Sequence, residues 1–243
     1  MLSDDEVERI LVVTAHPDDV DFGSSGTIAT WTEKGIEVVY CIITDGDAGG
    51  FDPDVPRSEI PAIRRAEQEA AAKQVGVDDV RFLGYPDGRL VVSIELRRDI
   101  SRVIRQVRPQ RVVTQSPERS YQRIYASHPD HLAAGEAALC AVYPDARNPF
   151  AHPELAAEGL EAHSVAEVWL MGGSQSAPAD SMVYVDITDV LDRKVAALLS
   201  HESQMTDPSG LPDRMRAWGE AIAVNGGLPV GRLAEGFQVV STA

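Results

Sequence analysis

Short apolar runs of strand length, separated by stretches of helical periodicity, recur along this chain and constrain its fold more than any other feature. Residues 10–14 (ILVVT) and 37–44 (EVVYCIIT) are continuous apolar runs, the pattern of strands buried on both faces. Residues 80–83 and 111–114 repeat the pattern, and 166–171 and 181–185 extend it. Helices are expected over 25–34, stopping at Gly35, and over 60–75, with Pro61 in the first turn and Gly76 past the end. Further helices are expected over 94–107, 129–142 and 189–200. Alternation of this kind predicts an α/β fold: a doubly wound, mostly parallel, Rossmann-like sheet with helices on both faces. No repeat or low-complexity linker divides the 243 residues, so a single domain over 1–243 is expected. Residues 143–166 read as a surface excursion, and the Gly- and Pro-rich stretch after Gln204 reads as a wrap over one face.

The charge balance excludes some partners. With 22 Lys and Arg against 38 Asp and Glu, the formal net charge is −16, which argues against nucleic acid and anionic membrane as ligands. Arg97, Arg98, Arg102, Arg105, Arg108, Arg111, Arg119 and Arg123 cluster, but helical spacing spreads the first five around a helix as a solvated face. No apolar stretch approaches the ~20 residues that span a bilayer, and the polar, acidic N-terminus is unlike a secretory signal. A cytoplasmic location without a membrane span is the expectation. Cys41 and Cys140 sit in apolar runs outside any C-x-x-C spacing and read as two buried thiols.

Two short motifs carry the chemistry: His16-Pro17-Asp18-Asp19, directly after the first strand, and His128-Pro129-Asp130-His131, after the 111–114 strand. In an open parallel sheet, ligands bind beyond the carboxyl ends of the strands, so the fold delivers both motifs to one edge. A catalytic zinc ion (Zn2+) takes three protein ligands from His and Asp or Glu and keeps a fourth position open. His16, Asp19 and His131 supply that set. Asp18 then serves as the base that takes a proton from water, and His128 as the donor to developing charge on the substrate.

Other readings of these residues stand beside this one. Asp18 or Asp19 alone is a common helix cap, and a lone His is more often packing than ligand. Two His and one carboxylate also make the facial triad of a non-haem iron enzyme. Gly23-Ser24-Ser25-Gly26 follows the first strand as in a nucleotide-binding module, yet lacks the full G-x-G-x-x-G spacing. The loop from Asp45 to Arg57, with Gly46, Gly49 and Gly50, is long for a plain connection and reads as a rim over the site. Trp31, Trp169 and Trp218 read as packing residues; His152 and His163 have no partner spacing.

In their order, AHPDDVDFGSSGTIATW, IRRAEQEAAAKQVGV, FLGYPDGRL, HPDH and HESQ resemble the LmbE-like (PIG-L) de-N-acetylases over residues 10 to 205. The resemblance implies zinc-dependent removal of acetyl from an N-acetylglucosaminyl-type small-molecule conjugate. It implies His16, Asp19 and His131 as zinc ligands, Asp18 as general base, and His128 as oxyanion stabiliser or proton donor. Arg64 and Asp87 match positions that contact substrate; as plain residues they are a helical Arg paired with Glu67 or Gln68, and an Asp-Gly turn. Asp21, Asp130 and His201, with Gln204, match supporting positions around the ligands. Homo-oligomeric relatives leave self-association open. One departure is visible: Asp21 stands where the family more often has Glu, one methylene longer.

Overall fold

The computed structural model describes residues 1–121, 124–172 and 177–242; Arg123 of the arginine cluster lies outside them. Seven strands form one sheet: β1 (Arg9–Thr14), β2 (Glu37–Thr44), β3 (Asp79–Tyr85), β4 (Arg111–Gln115), β5 (Glu167–Met171), β6 (Met182–Asp186) and β7 (Ala234–Ser241). Their order is β3-β2-β1-β4-β5-β7-β6. The first five run parallel, and β7 inserts antiparallel to both β5 and β6. The expected doubly wound, mostly parallel α/β sheet is therefore present.

Strand pleating explains why the apolar runs are continuous. Ile10 and Val12 of β1, with Val38, Tyr40 and Ile42 of β2, enter the core on one face. Leu11, Val13, Val39, Cys41 and Ile43 enter the core on the other. The first face is covered by α2 (Ser25–Glu33), α3 (Ile60–Gln74), α7 (Leu191–Leu199) and α8 (Leu211–Asn225); the second by α4 (Ile94–Val107) and α5 (Pro129–Cys140).

Several expectations need correction. The stretch after Gln204 does cover one face, but as the 15-residue α8, and it continues into β7, an interior strand that was not expected. Residues 143–166 are mostly exposed, as a surface excursion should be, but they include α6 (Pro153–Ala157) and are tied down by a buried arginine. Arg105, 2% exposed, donates to the carbonyls of Asp145, Ala146, Asn148, Ala151 and Leu160. Arg105 is thus no part of a solvated face. Arg111 is also fully buried; its guanidinium lies 4.2 Å from the Trp169 ring centroid and pairs with Glu167 at 2.8 Å. Trp218 is 45% exposed. Both cysteines are free, but only Cys41 is buried; Cys140 is half-buried.

A short helix that periodicity did not predict, α1 (Asp19–Gly23), links the first motif to α2. A buried pair braces this junction. Lys194 Nζ donates to the carbonyls of Asp21 and Phe22 at 2.8 Å each and to Glu235 at 2.7 Å. Glu235 accepts the backbone N–H groups of Gly26 and Thr27 at 3.1 and 2.7 Å, satisfying donors that a helix start leaves free. The glycines here serve packing. A Cβ on Gly23 would lie 2.5 Å from Met171 Sδ, and one on Gly26 would lie 2.9 Å from Ile187 Cδ1. No phosphate role is needed to account for them.

Candidate active site

Strands β1 and β4 are hydrogen-bonded neighbours, and the chain winds outward from them in opposite directions. The crevice beyond their carboxyl ends is the topological switch point, where this class of sheet binds ligands. Both His-Pro-Asp motifs open into it.

After β1 the chain makes a tight turn. Ala15 N–H donates to Gln115 Oε1 at 2.9 Å, tying this turn to the end of β4. Asp18 has φ +88°, a left-handed conformation that is uncommon outside glycine and costs about 1–3 kcal/mol. That turn sends adjacent carboxylates to different partners. Asp19 Oδ2 lies 3.2 Å from His16 Nδ1, and Asp19 Oδ1 lies 3.0 Å from His131 Nε2. His16 Nδ1 and His131 Nε2 are 3.2 Å apart. Asp18 turns instead to Arg64, with 3.0 Å between its Oδ2 and Nη2.

The second motif opens α5. His128 is its N-cap: Nδ1 accepts the Asp130 N–H at 3.2 Å, and Pro129 fills the first helical position. With Nδ1 accepting, the neutral ring carries its proton on Nε2. Burial, then the neighbouring His16 and His131, lower the basicity of His128 and keep the ring neutral. Its centroid is 4.9 Å from that of His16 and 5.2 Å from that of His131.

Behind His16 stand two more carboxylates. His16 Nε2 is 3.1 Å from Asp87 Oδ1 and 3.3 Å from Asp130 Oδ2. Asp130 also accepts the N–H groups of Gly88 at 2.7 Å and Leu90 at 3.2 Å. Asp87, expected at the substrate, thus touches His16, and its own N–H donates to Asp47 Oδ1 at 2.8 Å. Burial opposes charge on His16, but the hydrogen bonds it donates to Asp19 and Asp87 overcome that and raise the imidazole to about 11. Asp19 is held well below the usual carboxylate range: burial opposes this, and His131 and His16 outweigh it. Asp18 goes the other way, pushed up to about 6 chiefly by burial, against the pull of Arg64.

Arg64 is buried and also reaches the carbonyls of Pro17 and Gly46, so it joins the motif to the glycine loop. Its expected partner Glu67 instead accepts Ser203 N–H and Oγ at 2.7 and 2.8 Å. Asp21 and His201 are fully buried and joined at 2.8 Å, while Gln204 accepts the Gly50 N–H. Sequence reasoning missed Gln68, whose Oε1 accepts the Asp18 N–H at 2.8 Å. The only available signal was its place four residues after Arg64, on the same helical face.

The fit to a cation follows from these distances. His16 Nδ1 and His131 Nε2 lie 3.2 Å apart, and the two oxygens of Asp19 meet them one each at 3.2 and 3.0 Å, close to the ~3.3 Å ligand–ligand separation around a tetrahedral ion with bonds of about 2.05 Å. His16, His128 and His131 also present ring nitrogens within 4.8 Å of one another, as do ligand atoms of His16, Asp87 and Asp130. Among the described residues no helix is long and apolar enough to cross a membrane.

Known proteins share this arrangement of elements. The chain is 34% identical, over 97% of its length and 84% of the relative's, to diacetylchitobiose deacetylase of Thermococcus kodakarensis. It is 33% identical to a probable N-acetyl-alpha-D-glucosaminyl L-malate deacetylase 2 of Bacillus cereus, over 81% of this chain and 83% of that one. The solved N,N'-diacetylchitobiose deacetylase of Pyrococcus horikoshii superposes with a TM-score of 0.86 at 30% identity, covering 98% of this chain and 85% of that one. The family model described as PIG-L, GlcNAc-PI de-N-acetylase, matches residues 11–142, a span that runs from β1 through both His-Pro-Asp motifs. On this match and these identities, the chain belongs to the PIG-L de-N-acetylase family.

Proposed function

We propose that the chain is a zinc-dependent hydrolase that removes acetyl from an N-acetylglucosaminyl-type small molecule, acting as one LmbE-like domain. The observation that carries this reading is the cluster of His16, Asp19 and His131, with Asp18 next in sequence and the His128 ring packed against both histidines. His16, Asp19 and His131 would hold the ion, which when bound supplies Lewis acidity, bringing the pKa of water to about 7 and polarising an amide carbonyl. Asp130 and Asp87 orient His16 by accepting from its outer nitrogen.

Asp18 takes the proton of the attacking water, whose oxygen bonds to the acetyl carbon. His128, neutral with its proton on Nε2, donates a hydrogen bond to the developing oxyanion. The C–N bond breaks, the nitrogen takes the proton held by Asp18, and acetate leaves with the free amine. Arg64 keeps the Asp18 carboxylate in place. Relatives bearing deacetylase names support hydrolysis over the iron-oxygen alternative, and they suggest chitobiose-, malate- and inositol-linked N-acetylglucosamine as substrates to try.

Amine release from those three substrates by zinc-loaded protein tests the reading. Asp18→Ala is expected to lower kcat by about 10²–10⁴ with zinc retained, and His131→Ala to lose both zinc and turnover. Wild-type turnover in either variant, or no turnover on any N-acetylglucosaminyl substrate, refutes it.

A further inference from the structure

Helix α3 presents two buried polar side chains to the Asp18 turn, Arg64 at 4% exposure and Gln68 at 0%. Arg64 holds the Asp18 carboxylate and the Pro17 carbonyl. Gln68 holds the backbone: its Oε1 accepts the Asp18 N–H at 2.8 Å, and its Nε2 donates to Asp21 Oδ2 at 2.9 Å. The same Asp21 oxygen is 2.8 Å from His201 Nε2. The amide has one workable orientation here, because a peptide N–H can only donate and a carboxylate only accepts. Rotating it by half a turn would set N–H against N–H and oxygen against oxygen.

The residue that Gln68 grips is the one with φ +88°. That conformation separates the side chain of Asp18, which faces Arg64, from that of Asp19, which faces His16 and His131. A residue of this kind persists only where its surroundings over-determine it. Asp19, by contrast, also accepts the His16 N–H at 2.7 Å, and His16 leans on Asp87 and Asp130, so these two candidate zinc ligands have anchors of their own.

We infer that Gln68 is a positioning residue for the reaction: backed by the buried Asp21–His201 pair, it fixes the Asp18 peptide in the left-handed turn that aims the base. The inference rests on the proposed role of Asp18 as general base. It separates two functions along one motif, in which Gln68 governs the base and Asp130 with Asp87 governs His16.

The test compares zinc-loaded wild type with Asp18→Asn, Gln68→Met and the double variant Gln68→Glu/Asp21→Asn, measuring kcat, KM, zinc affinity and melting temperature. Gln68→Met keeps the side-chain length without its polar groups. The double variant reverses donor and acceptor between positions 68 and 21 while keeping an acceptor for the Asp18 N–H. Gln68→Met is expected to lower kcat about tenfold to a hundredfold, the scale of a small misplacement of a catalytic group, with KM and zinc affinity unchanged. The double variant is expected to recover most of that loss.

Wild-type kcat in Gln68→Met overturns the inference. So does a double variant as slow as Gln68→Met, or zinc affinity falling in parallel with kcat in both. Should Gln68→Met fail to fold, the double variant decides alone, recovery supporting the inference and slow turnover overturning it. Asp18→Asn keeps the two claims apart, since wild-type turnover there removes the base assignment itself, whatever position 68 does.

Discussion

Asp130 and His16 are 114 residues apart in sequence, yet Asp130 Oδ2 sits 3.3 Å from His16 Nε2 while two backbone N–H groups, of Gly88 and Leu90, fix the carboxylate. A carboxylate on the outer nitrogen orients an imidazole ligand and raises its basicity. Asp130→Asn is therefore expected to weaken zinc binding by about 10–100-fold, read by competition with a chelating dye, while the fold and the His16–Asp19 contact persist. Unchanged affinity would assign Asp130 to the turn at Gly88 alone.

Removing the metal gives a second expectation. Chelation should abolish deacetylation and zinc should restore it. Because an ion that binds only the folded protein stabilises it, free zinc at 100 times its dissociation constant should add about 2.7 kcal/mol to unfolding stability. Denaturant titration with and without zinc measures this, and His131→Ala should remove the difference.

Lys194 and Glu235 form a buried pair whose members also hold the α1–α2 junction. Lys194→Met leaves Glu235 charged and without its cation, and it is expected to cost about 3–5 kcal/mol in urea unfolding. Truncating both partners should cost less than the sum of the single changes.

How much of this was legible differs by element. Strands β1, β2 and β4 announced themselves because a strand covered on both faces has no polar side to show. The two His-Pro-Asp motifs were legible because ligand chemistry restricts residue types, and the topology brings them together. The Asp18 turn was not legible, since its left-handed φ depends on Gln68, 50 residues away, and a glutamine in a helix carries no local mark of its partner. The last strand escaped notice for a different reason. In β7 (AEGFQVVS) several residues are only half-buried, and its Gly- and Pro-rich approach looks like coil. Arg105 was misread because helical spacing says which residues share a face but not what that face meets.

His163 offers a pH expectation away from the site. Its Nε2 donates to the Pro109 carbonyl at 2.7 Å, and burial, the largest influence, lowers its basicity below the unfolded value of 6.5. Folding thus disfavours the protonated ring, so the contribution is fully present above pH 6.5 and lost as pH falls through and below it. Melting temperature from pH 7.5 to 5 should fall more steeply for wild type than for His163→Gln. Parallel curves would show that this ring titrates alike in both states.

The insertion of β7 between β5 and β6 has a consequence for biogenesis. Glu235, on that strand, fastens the start of α2, and α2 continues from the helix that carries Asp19. A nascent chain that already contains every His-Pro-Asp residue still lacks the clasp on this junction until residues 234–241 are made and pair with β5 and β6. Assembly of the catalytic crevice is thereby coupled to the arrival of a late segment of the polypeptide, and a chain cut short before β7 leaves two strand edges bare and this clasp unmade.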